Sequence, residues 1–330
     1  MIRVGIVGTG GISRSHLEGY RDIPGATLVA ACDVQGEGAK NHDLALSLGA
    51  KFYTDLEDML ASEELDMLDV CLPTPLHASA VLAGFAHGLH VLSEKPMCRT
   101  SLECESVIEA ARLSGKKYMV AHVVRFMKPY RYLASVIKSG ELGAPVEIMM
   151  RRLSHVPEWS YQNWMQDASL SGGSPLDLSI HDLDFLYSIL GEPDTASAVY
   201  RSFSGADERG RNDLITSSLT WGKISATVIG AQYNADIPFT ADFLAVFERG
   251  TVELKGGKVY KSGEEVELDE EVAKEGSSGI NISSSGAYTD EIAYFIDCII
   301  NDRAPEEVLP ESSLGSVRLV ERLLASATKI

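Results

Sequence analysis

The tripeptide Glu94-Lys95-Pro96 is the feature of this chain that most directly suggests chemistry. It follows a short apolar run, His90 to Leu92, which predicts a buried strand. Parallel sheets hold their ligands in the crevice outside the carboxyl ends of the strands. A lysine at that position can donate a hydrogen bond to a reacting oxygen and stabilise the negative charge that develops there. Lys95 is therefore a candidate catalytic residue, and the alternative is an ordinary surface lysine.

A glycine-rich loop near the start of the chain points to a nucleotide. The loop Gly8-Thr9-Gly10-Gly11-Ile12-Ser13 fits the pattern GxGxx(G/A) except at its last position, where serine is present. It follows a predicted strand, Ile2 to Val7, and precedes a predicted helix, Ile12 to Arg21. In this context the glycines permit a tight turn, and backbone amides at the helix N-terminus bind a pyrophosphate. The alternative is a glycine turn that serves another nucleotide or none.

Asp33 supplies the second half of this pattern. It lies at the end of the second predicted strand, about 20 residues beyond the glycine loop, where an acid accepts hydrogen bonds from the adenosine ribose hydroxyls. A carboxylate there repels a 2′-phosphate, and no arginine or lysine occurs between Val34 and Ala39 to offset it. NAD is therefore expected as the cofactor, in preference to NADP. The alternative is that Asp33 simply caps the end of its strand.

A polar stripe on a predicted helix, Ser174 to Leu190, is the third candidate. At about 3.6 residues per turn, four polar residues fall on one narrow face, namely Asp177, His181, Asp184 and Ser188. Asp177 and His181 are spaced i, i+4, so their side chains can touch or converge on one ligand. Histidine is the side chain best suited to take and return a proton near neutral pH. The alternative is that the stripe is the solvated face of an amphipathic helix.

The N-terminal part of the chain alternates between short apolar runs and helical patterns. This alternation predicts βαβ units and a doubly wound parallel sheet with right-handed crossovers. The predicted strands are Ile2 to Val7, Thr27 to Cys32, Met67 to Leu72, His90 to Leu92 and Tyr118 to Ala121. The predicted helices are Ile12 to Arg21, Ala39 to Leu48, Ala78 to His87 and Leu102 to Leu113.

Beyond a predicted helix, Tyr130 to Lys138, the pattern changes to strands. They predict a second, mostly antiparallel sheet and comprise Val146 to Leu153, Ala196 to Phe203, Leu214 to Trp221, Lys223 to Ala231 and Ala241 to Phe247. Apolar and polar residues alternate in Lys223 to Ala231, so one sheet face is expected to pack and the other to stay open. Gly263 to Gly276 and Ser277 to Gly286 are expected to be exposed connections.

The predicted fold class is therefore α/β, with a parallel-sheet domain at residues 1–121 and an α+β domain at residues 122–330. The second domain carries the substrate site and the open-faced sheet. Two closing helices, Ala287 to Ile300 and Ser312 to Thr328, can pack back on the first domain.

Length and composition set limits on function. The chain has 330 residues and a net charge of −18, from 47 acidic and 29 basic residues, so two domains fit and no basic footprint for nucleic acid is evident. Without a leader-like start or an apolar stretch long enough to span a bilayer, a cytoplasmic protein with no membrane contact is expected. Five cysteines without a CxxC pair predict reduced thiols, with neither a disulfide framework nor a metal site.

Over nearly its full length the chain resembles the Gfo/Idh/MocA oxidoreductase family, which includes glucose-fructose oxidoreductase and inositol dehydrogenases. The matching segments are the glycine loop with Asp33, Pro73-Thr74-Pro75-Leu76-His77, Glu94-Lys95-Pro96 and Gly172-Gly173-Ser174-Pro175-Leu176-Asp177-Leu178-Ser179-Ile180-His181-Asp182. The resemblance implies an N-terminal Rossmann domain and the catalytic residues Lys95, Asp177 and His181. It implies a cofactor site formed by Gly8, Thr9, Gly10, Gly11, Ile12, Asp33, Pro73, Thr74, His77, Glu94 and Lys95.

The chain departs from the family pattern in two places. Proline stands at position 75, where the family usually has asparagine, so His77 is the firmer match in that turn. The stretch around Arg125 resembles the family's Arg-Phe segment, but His122 is atypical there and is either a substrate contact or a core histidine. Trp159, Tyr161 and Trp164 either line the sugar side of the site or pack in the core.

The resemblance implies reversible oxidation of a secondary alcohol on a sugar, polyol or derivative, with the hydride passing to nicotinamide. By the same resemblance His181 would act as general base, Asp177 would hold or relay, and Lys95 would hydrogen-bond the reacting oxygen. Two alternatives remain open, namely an NAD-dependent glycoside-processing enzyme that oxidises its substrate transiently and a noncatalytic NAD-binding sensor. Together with the open sheet face, the resemblance also implies a homo-dimer or homo-tetramer.

Overall fold

The computed structural model describes residues 1–34, 39–203, 213–268 and 286–330. Within these ranges, residues 1–123 and 286–314 form one compact unit, and residues 124–268 and 315–330 form another. The helices are α1 (Ser13–Asp22), α2 (His42–Ser47), α3 (Leu56–Ser62), α4 (His77–Ala86), α5 (Ser101–Ser114), α6 (Lys128–Ser139), α7 (Ala168–Ser171), α8 (Ile180–Leu190), α9 (Ala287–Ile300) and α10 (Pro310–Ser326). The division into domains of 1–121 and 122–330 stays a prediction.

A six-stranded parallel sheet in the order β3-β2-β1-β4-β5-β6 forms the first unit. Its strands are β1 (Ile2–Val7), β2 (Ala26–Cys32), β3 (Lys51–Tyr53), β4 (Met67–Val70), β5 (His90–Glu94) and β6 (Tyr118–Ala121). The order reverses between β1 and β4, which opens a crevice outside the carboxyl ends of the strands. Gly8 follows β1, Asp33 follows β2, and Lys95 follows β5. The predicted doubly wound parallel sheet is confirmed.

Local side-chain chemistry sets the ends of these elements. Helix α5 begins with a capping box, because Thr100 Oγ1 accepts the Glu103 N–H and the Glu103 carboxylate accepts the Thr100 N–H at 2.9 Å. It ends at Gly115, whose φ of +66° suits glycine. In the central strand β1, Val4 and Ile6 are buried on one face and Gly5 and Val7 on the other, as expected for a sheet covered on both sides.

A nine-stranded mixed sheet in the order β14-β13-β12-β11-β7-β10-β9-β8-β15 forms the second unit. Its strands are β7 (Pro145–His155), β8 (Thr195–Arg201), β9 (Leu214–Trp221), β10 (Ile224–Tyr233), β11 (Thr240–Phe247), β12 (Gly250–Lys255), β13 (Lys258–Lys261), β14 (Glu264–Val266) and β15 (Thr328–Lys329). Only the pairs β7–β10 and β8–β15 of these described strands are parallel, so the mostly antiparallel sheet is confirmed. In β10, buried Ala226 and Val228 alternate with exposed Ser225 and half-buried Thr227.

The structure adds short elements that the sequence patterns do not predict. Strand β3 has three residues and helix α3 has seven, which is too short for a clear hydrophobic period. Strand β14 lies in the stretch Gly263 to Gly276, for which the sequence predicts an exposed connection, so that prediction is wrong at Glu264–Val266. The rest of that connection from residue 269, and Ser277 to Gly286 up to residue 285, lie outside the described residues.

The cysteine side chains are consistent with the predicted reduced thiols. All five are free and buried. Burial is also the main reason why the pKa of Cys32, at the end of β2, is raised to about 11. Among the described residues, no helix has the length and apolar character needed to cross a membrane.

Helix α9 packs against α1 within the first unit and carries a buried acid. A Cβ on Gly19 of α1 would lie 3.2 Å from the Ile292 Cδ1 of α9, so the two helices approach closely there. Glu291 of α9 is fully buried, and neither carboxylate oxygen has a hydrogen-bond partner among the described residues. Burial, followed by the negative charge of Glu94, raises the pKa of Glu291 well above its ordinary value.

The substitution Glu291→Gln tests this account of the α1–α9 contact. Because the folded pKa is raised, the unfolded chain loses the Glu291 proton first as pH rises above 4.5, and the wild-type free energy of unfolding falls through that range. Glutamine cannot ionise, so the variant escapes this loss. We expect a stability advantage for Glu291→Gln that grows between about pH 5 and pH 8, by about 1.4 kcal/mol for each unit of raised pKa.

Urea unfolding at several pH values measures this difference. Glu264→Gln is the matched control, because Glu264 is exposed on β14 and its replacement should change stability by the same small amount at every pH. An advantage for Glu291→Gln that stays constant with pH would show that Glu291 ionises normally in the folded chain.

Candidate active site

The glycine loop after β1 is shaped by a close approach of backbone to backbone. Gly8 has a φ of +90°, and a Cβ there would lie 2.5 Å from the carbonyl oxygen of Cys71. Because glycine has no Cβ, the chain can turn this close to the end of β4, and no other residue fits there. Helix α1 then begins at Ser13, and among the described residues it has neither a side-chain cap nor an acidic residue in its first turn. Its N-terminal amides are therefore suited to bind an anion.

Ser13 stands where the glycine pattern calls for a glycine or alanine, and the structure shows why serine is tolerated. The side chain is fully buried, and its hydroxyl donates to the carbonyl oxygen of Gly10 at 2.8 Å. Asn41 closes the loop from the other side, because its backbone N–H donates to the Thr9 carbonyl oxygen at 2.8 Å. Sequence reasoning misses Asn41, since a single asparagine before a short helix carries no signal for this contact.

Asp33 is joined directly to the glycine loop. Its Oδ2 accepts the backbone N–H of Thr9 at 2.5 Å and the Thr9 hydroxyl at 3.1 Å, while Oδ1 accepts the Val34 N–H at 2.7 Å. A carboxylate has about four lone-pair positions, so it retains capacity for ribose hydroxyls. A cradle that excludes side chains at Gly8, an uncapped helix N-terminus and this carboxylate together fit a dinucleotide. Residues 35–38, which enter the argument for NAD over NADP, lie outside the described residues.

The segments after β4 and β5 form the other side of this crevice. Glu94 is buried at the end of β5, and its Oε2 accepts the backbone N–H of Lys95 at 3.0 Å. The Lys95 side chain is half-buried, and the Lys95–Pro96 peptide bond is cis. Pro73 precedes a 3₁₀ turn at Thr74–Leu76, with Thr74 buried. These residues follow strand ends at the crevice, as predicted from the sequence.

His77 ties these two segments together. Its Nδ1 lies 2.8 Å from the carbonyl oxygen of Pro96, and its Nε2 lies 2.8 Å from that of Leu72. Burial lowers the pKa of His77 more than these two contacts raise it. The ring is thus neutral at neutral pH and donates to one carbonyl at a time. Within the first unit, His77 therefore links the segments that follow β4 and β5.

The segment that carries Asp177 and His181 differs from the single α-helix predicted over Ser174 to Leu190. A π-helical turn occupies Pro175–Ser179, and α8 begins only at Ile180. This turn packs on β10 where the strand has Gly230, since a Cβ there would lie 2.0 Å from the Ser179 Oγ. The wider turn changes the spacing on which the predicted stripe rests. Such turns are frequent at functional sites.

Asp177 and His181 occupy different surroundings within the second unit. Asp177 is half-buried in the π turn, and its Oδ2 accepts a hydrogen bond from the Gln232 side-chain amide of β10 at 2.9 Å. His181 is buried in the first turn of α8. The sequence does not predict the contact with Gln232, because Gln232 lies in a strand 55 residues away from Asp177. It fixes the carboxylate that was predicted to work beside His181.

Two buried ion pairs hold the helix in the turn that follows His181. Asp182 binds Arg152 at 2.9 Å, and the hydroxyl of Tyr130 donates to the same carboxylate at 3.0 Å. Asp184 forms a bidentate ion pair with Arg125, with N–O distances of 2.6 and 2.7 Å. The residues from Ile180 to Leu186 are all buried. The alternative of a solvated stripe is therefore wrong for this part of the helix. Arg125, in the stretch that resembles the family's Arg-Phe segment, pairs with Asp184.

The remaining candidates are placed as follows. His122 is buried at the end of β6. Trp159 is exposed, and Trp164 is half-buried in a 3₁₀ segment, Tyr161–Gln166. Neither tryptophan belongs to the core. Whether His122 or the tryptophans contact substrate stays a prediction.

Two family models match the chain. The model described as an oxidoreductase family with an NAD-binding Rossmann fold matches residues 2–122. The Gfo/Idh/MocA C-terminal domain matches residues 130–253. The two matches together cover more than half of the chain, including the whole first sheet and strands β7 to β11 of the second.

Known relatives agree with these matches. The inositol 2-dehydrogenase of Burkholderia vietnamiensis is 34% identical over 202 residues, 60% of this chain and 56% of that protein. The inositol 2-dehydrogenase of Pseudomonas savastanoi pv. phaseolicola is 31% identical over 196 residues, 58% of this chain and 55% of that protein. The chain thus spans a little over half the length of these curated relatives.

Solved structures share the fold. The myo-inositol 2-dehydrogenase of Lactobacillus plantarum superposes with a TM-score of 0.82 at 20% identity, covering 98% of this chain and 96% of that one. The scyllo-inositol dehydrogenase of Lactobacillus casei, solved with NAD(H) and scyllo-inositol, gives 0.80 at 22% identity, with 99% and 97% covered. The two matched family models show that the chain belongs to the Gfo/Idh/MocA family of oxidoreductases.

Proposed function

We propose that this protein is an NAD-dependent oxidoreductase that moves a hydride between nicotinamide and a secondary alcohol or ketone of a polyol, sugar or related compound. The observation that carries the proposal is the crevice of the first unit, where a glycine loop bonded to Asp33 lies at the same strand ends as Glu94 and Lys95. The relatives named inositol 2-dehydrogenase favour a polyol as the substrate.

Each proposed catalytic residue has a role that suits its surroundings. The cofactor supplies the hydride acceptor when it is bound. His181 takes the proton of the substrate hydroxyl at an imidazole nitrogen. Lys95 donates a hydrogen bond from Nζ to the reacting oxygen and stabilises its negative charge. Asp177, fixed by Gln232, holds the substrate or relays the proton.

Several features support NAD as the preferred cofactor over NADP. The Asp33 carboxylate has no arginine or lysine partner among its described hydrogen bonds, and its negative charge repels a 2′-phosphate. Thr9 and Val34 hold it in place through three hydrogen bonds. Because these donors are fixed by the backbone and the glycine loop, the carboxylate is already oriented before a ribose binds.

Replacing Lys95 by methionine tests the proposed activity. We expect kcat/KM for polyol oxidation to fall by on the order of 10²–10³-fold, because the donor to the reacting oxygen is lost while the volume is kept. NADH formation across a panel of polyols and sugars measures this, with NADH binding followed by fluorescence. Lys223→Met is the control, since Lys223 lies exposed in the turn before β10 and should leave turnover unchanged.

Three other results would count against the proposal. Full turnover by Lys95→Met would remove Lys95 from the reaction. Tight NAD binding without turnover on any polyol or sugar would favour the noncatalytic sensor. Product formation without net NADH would instead favour transient oxidation in a glycoside-processing enzyme.

Replacing Asp33 by serine tests the cofactor preference. The variant loses a charged acceptor for the ribose hydroxyls, so we expect NAD affinity to fall about tenfold or more. Affinity for NADP should rise relative to NAD, because the repulsion of the 2′-phosphate is gone. Titration of both cofactors by fluorescence measures the ratio, with Asp43→Ser on the exposed surface of α2 as the control. An unchanged ratio of NAD to NADP affinity would contradict the role given to Asp33.

A further inference from the structure

A buried histidine beside the cofactor crevice takes no part in the mechanism above. His16 lies one turn into α1, directly after the glycine loop, and its side chain is fully buried. Its Nδ1 lies 2.9 Å from Oδ2 of Asp69 in β4, and its Nε2 lies 3.0 Å from Oε1 of Glu94 in β5. One imidazole ring therefore joins a helix to two neighbouring strands of the sheet.

The number of donors and the charge of the acceptors together decide the charge of this ring, whereas His77 stays neutral between two uncharged carbonyl oxygens. An ionised carboxylate only accepts hydrogen bonds, and a neutral imidazole has a single N–H. With acceptors at 2.9 and 3.0 Å from its two nitrogens, only the imidazolium supplies a donor to both. Two carboxylates also repel each other in a buried site, and a cation between them offsets this.

Asp69 and Glu94 each have a second partner that fixes their orientation. The hydroxyl of Tyr20 donates to the Asp69 Oδ2 at 2.8 Å. On the other side, the Glu94 Oε2 accepts the backbone N–H of Lys95 at 3.0 Å. A continuous path of hydrogen bonds thus runs from His16 through Glu94 to the Lys95 backbone.

Titratable groups from α1, β4, β5 and α9 face His16. Asp69 and Cys71 face it from β4 and the residue after it, Tyr20 from α1, Glu94 from β5, and Tyr288 and Glu291 from α9. Burial lowers the pKa of His16, but the charge and hydrogen bond of Asp69, with Cys71, outweigh burial and leave the pKa well above its usual value. This direction agrees with the count of donors.

We propose that His16 is a positioning residue for the reaction. As an imidazolium it holds Glu94 in the orientation that accepts the Lys95 N–H, and it thereby fixes Lys95 relative to the glycine loop that α1 continues. The inference rests on the proposed function of Lys95. A misplacement of about 1 Å can cost on the order of 100-fold in rate, so a residue that never touches substrate can affect turnover strongly.

Nuclear magnetic resonance of the cofactor-free protein tests the first step. Protein labelled with ¹⁵N-histidine should show both ring nitrogens of His16 protonated at about pH 8, where an ordinary histidine is neutral. The His16→Gln variant assigns the signals. A neutral His16 ring at that pH would overturn the proposal, since Glu94 would then be held by something else.

Hydrogen exchange of the Lys95 amide tests the second step. In His16→Gln we expect this amide to exchange at least about tenfold faster, while the amides of β1 keep their protection. If His16 were merely structural, its loss would speed exchange of the Lys95 amide and of the β1 amides alike. If His16→Gln fails to fold, hydrogen exchange of the wild type at several pH values replaces the variant. Protection of the Lys95 amide should then fall as pH rises and His16 loses its proton. Unchanged protection of Lys95 would overturn the proposal.

Kinetics then separate positioning from binding. We expect His16→Gln to lower kcat by about tenfold to 100-fold while KM for NAD changes less than about threefold. Tyr20→Phe is the matched control, because it removes one hydrogen bond to Asp69 in the same buried cluster and leaves the link from His16 to Glu94 intact. Loss of kcat in both variants alike would assign the effect to the cluster's stability and overturn the proposal.

The two proposals fail in distinguishable ways. An active wild type whose His16→Gln variant keeps full kcat overturns the role of His16 alone. A wild type that turns over no polyol or sugar overturns the proposed function, while the ring spectrum and the Lys95 amide still decide whether His16 holds Glu94.

Discussion

The close passage of Gly8 beside the end of β4 sets the geometry of the first unit. A side chain at Gly8 would meet the carbonyl group of Cys71, so the loop after β1 lies directly against the neighbouring strand. These two strands are the pair between which the sheet order reverses. The glycine loop, Asp33 and the Glu94–Lys95 segment therefore open on one crevice. Backbone packing creates the shape of the site, and side chains add its charge.

Buried charge fixes the residues that carry chemistry in both units. His16 lies between Asp69 and Glu94 in the first unit, and Asp182 and Asp184, just after His181, bind arginines in the second. Taking such charges out of water is costly, and a pair of this kind adds little net stability. Removing one partner, however, leaves an unpaired buried charge. The pairs are therefore better understood as devices of orientation than as sources of stability.

The sequence predicts the parallel sheet and the places of its motifs because both depend on local signals. Apolar runs, glycine turns and the acid at Asp33 are properties of short segments, and a parallel sheet brings strand ends to one edge. The partners of the candidate residues are not local. Gln232 lies 55 residues from Asp177, and Glu94 lies 78 residues from His16. Such pairs follow only from the folded backbone, and the π turn at Pro175–Ser179 depends likewise on its packing against Gly230.

The return of α9 to the first unit has a consequence for the newly made chain. The strands of the first sheet are all synthesised by Ala121, but the compact unit that contains this sheet is complete only when residues 286–314 have been synthesised. Until then the face of α1 that approaches Ile292 is uncovered. During translation the first unit therefore stays incomplete while strands β7 to β14 of the second sheet are synthesised. Apolar surface exposed at this stage is what chaperones recognise and aggregation exploits.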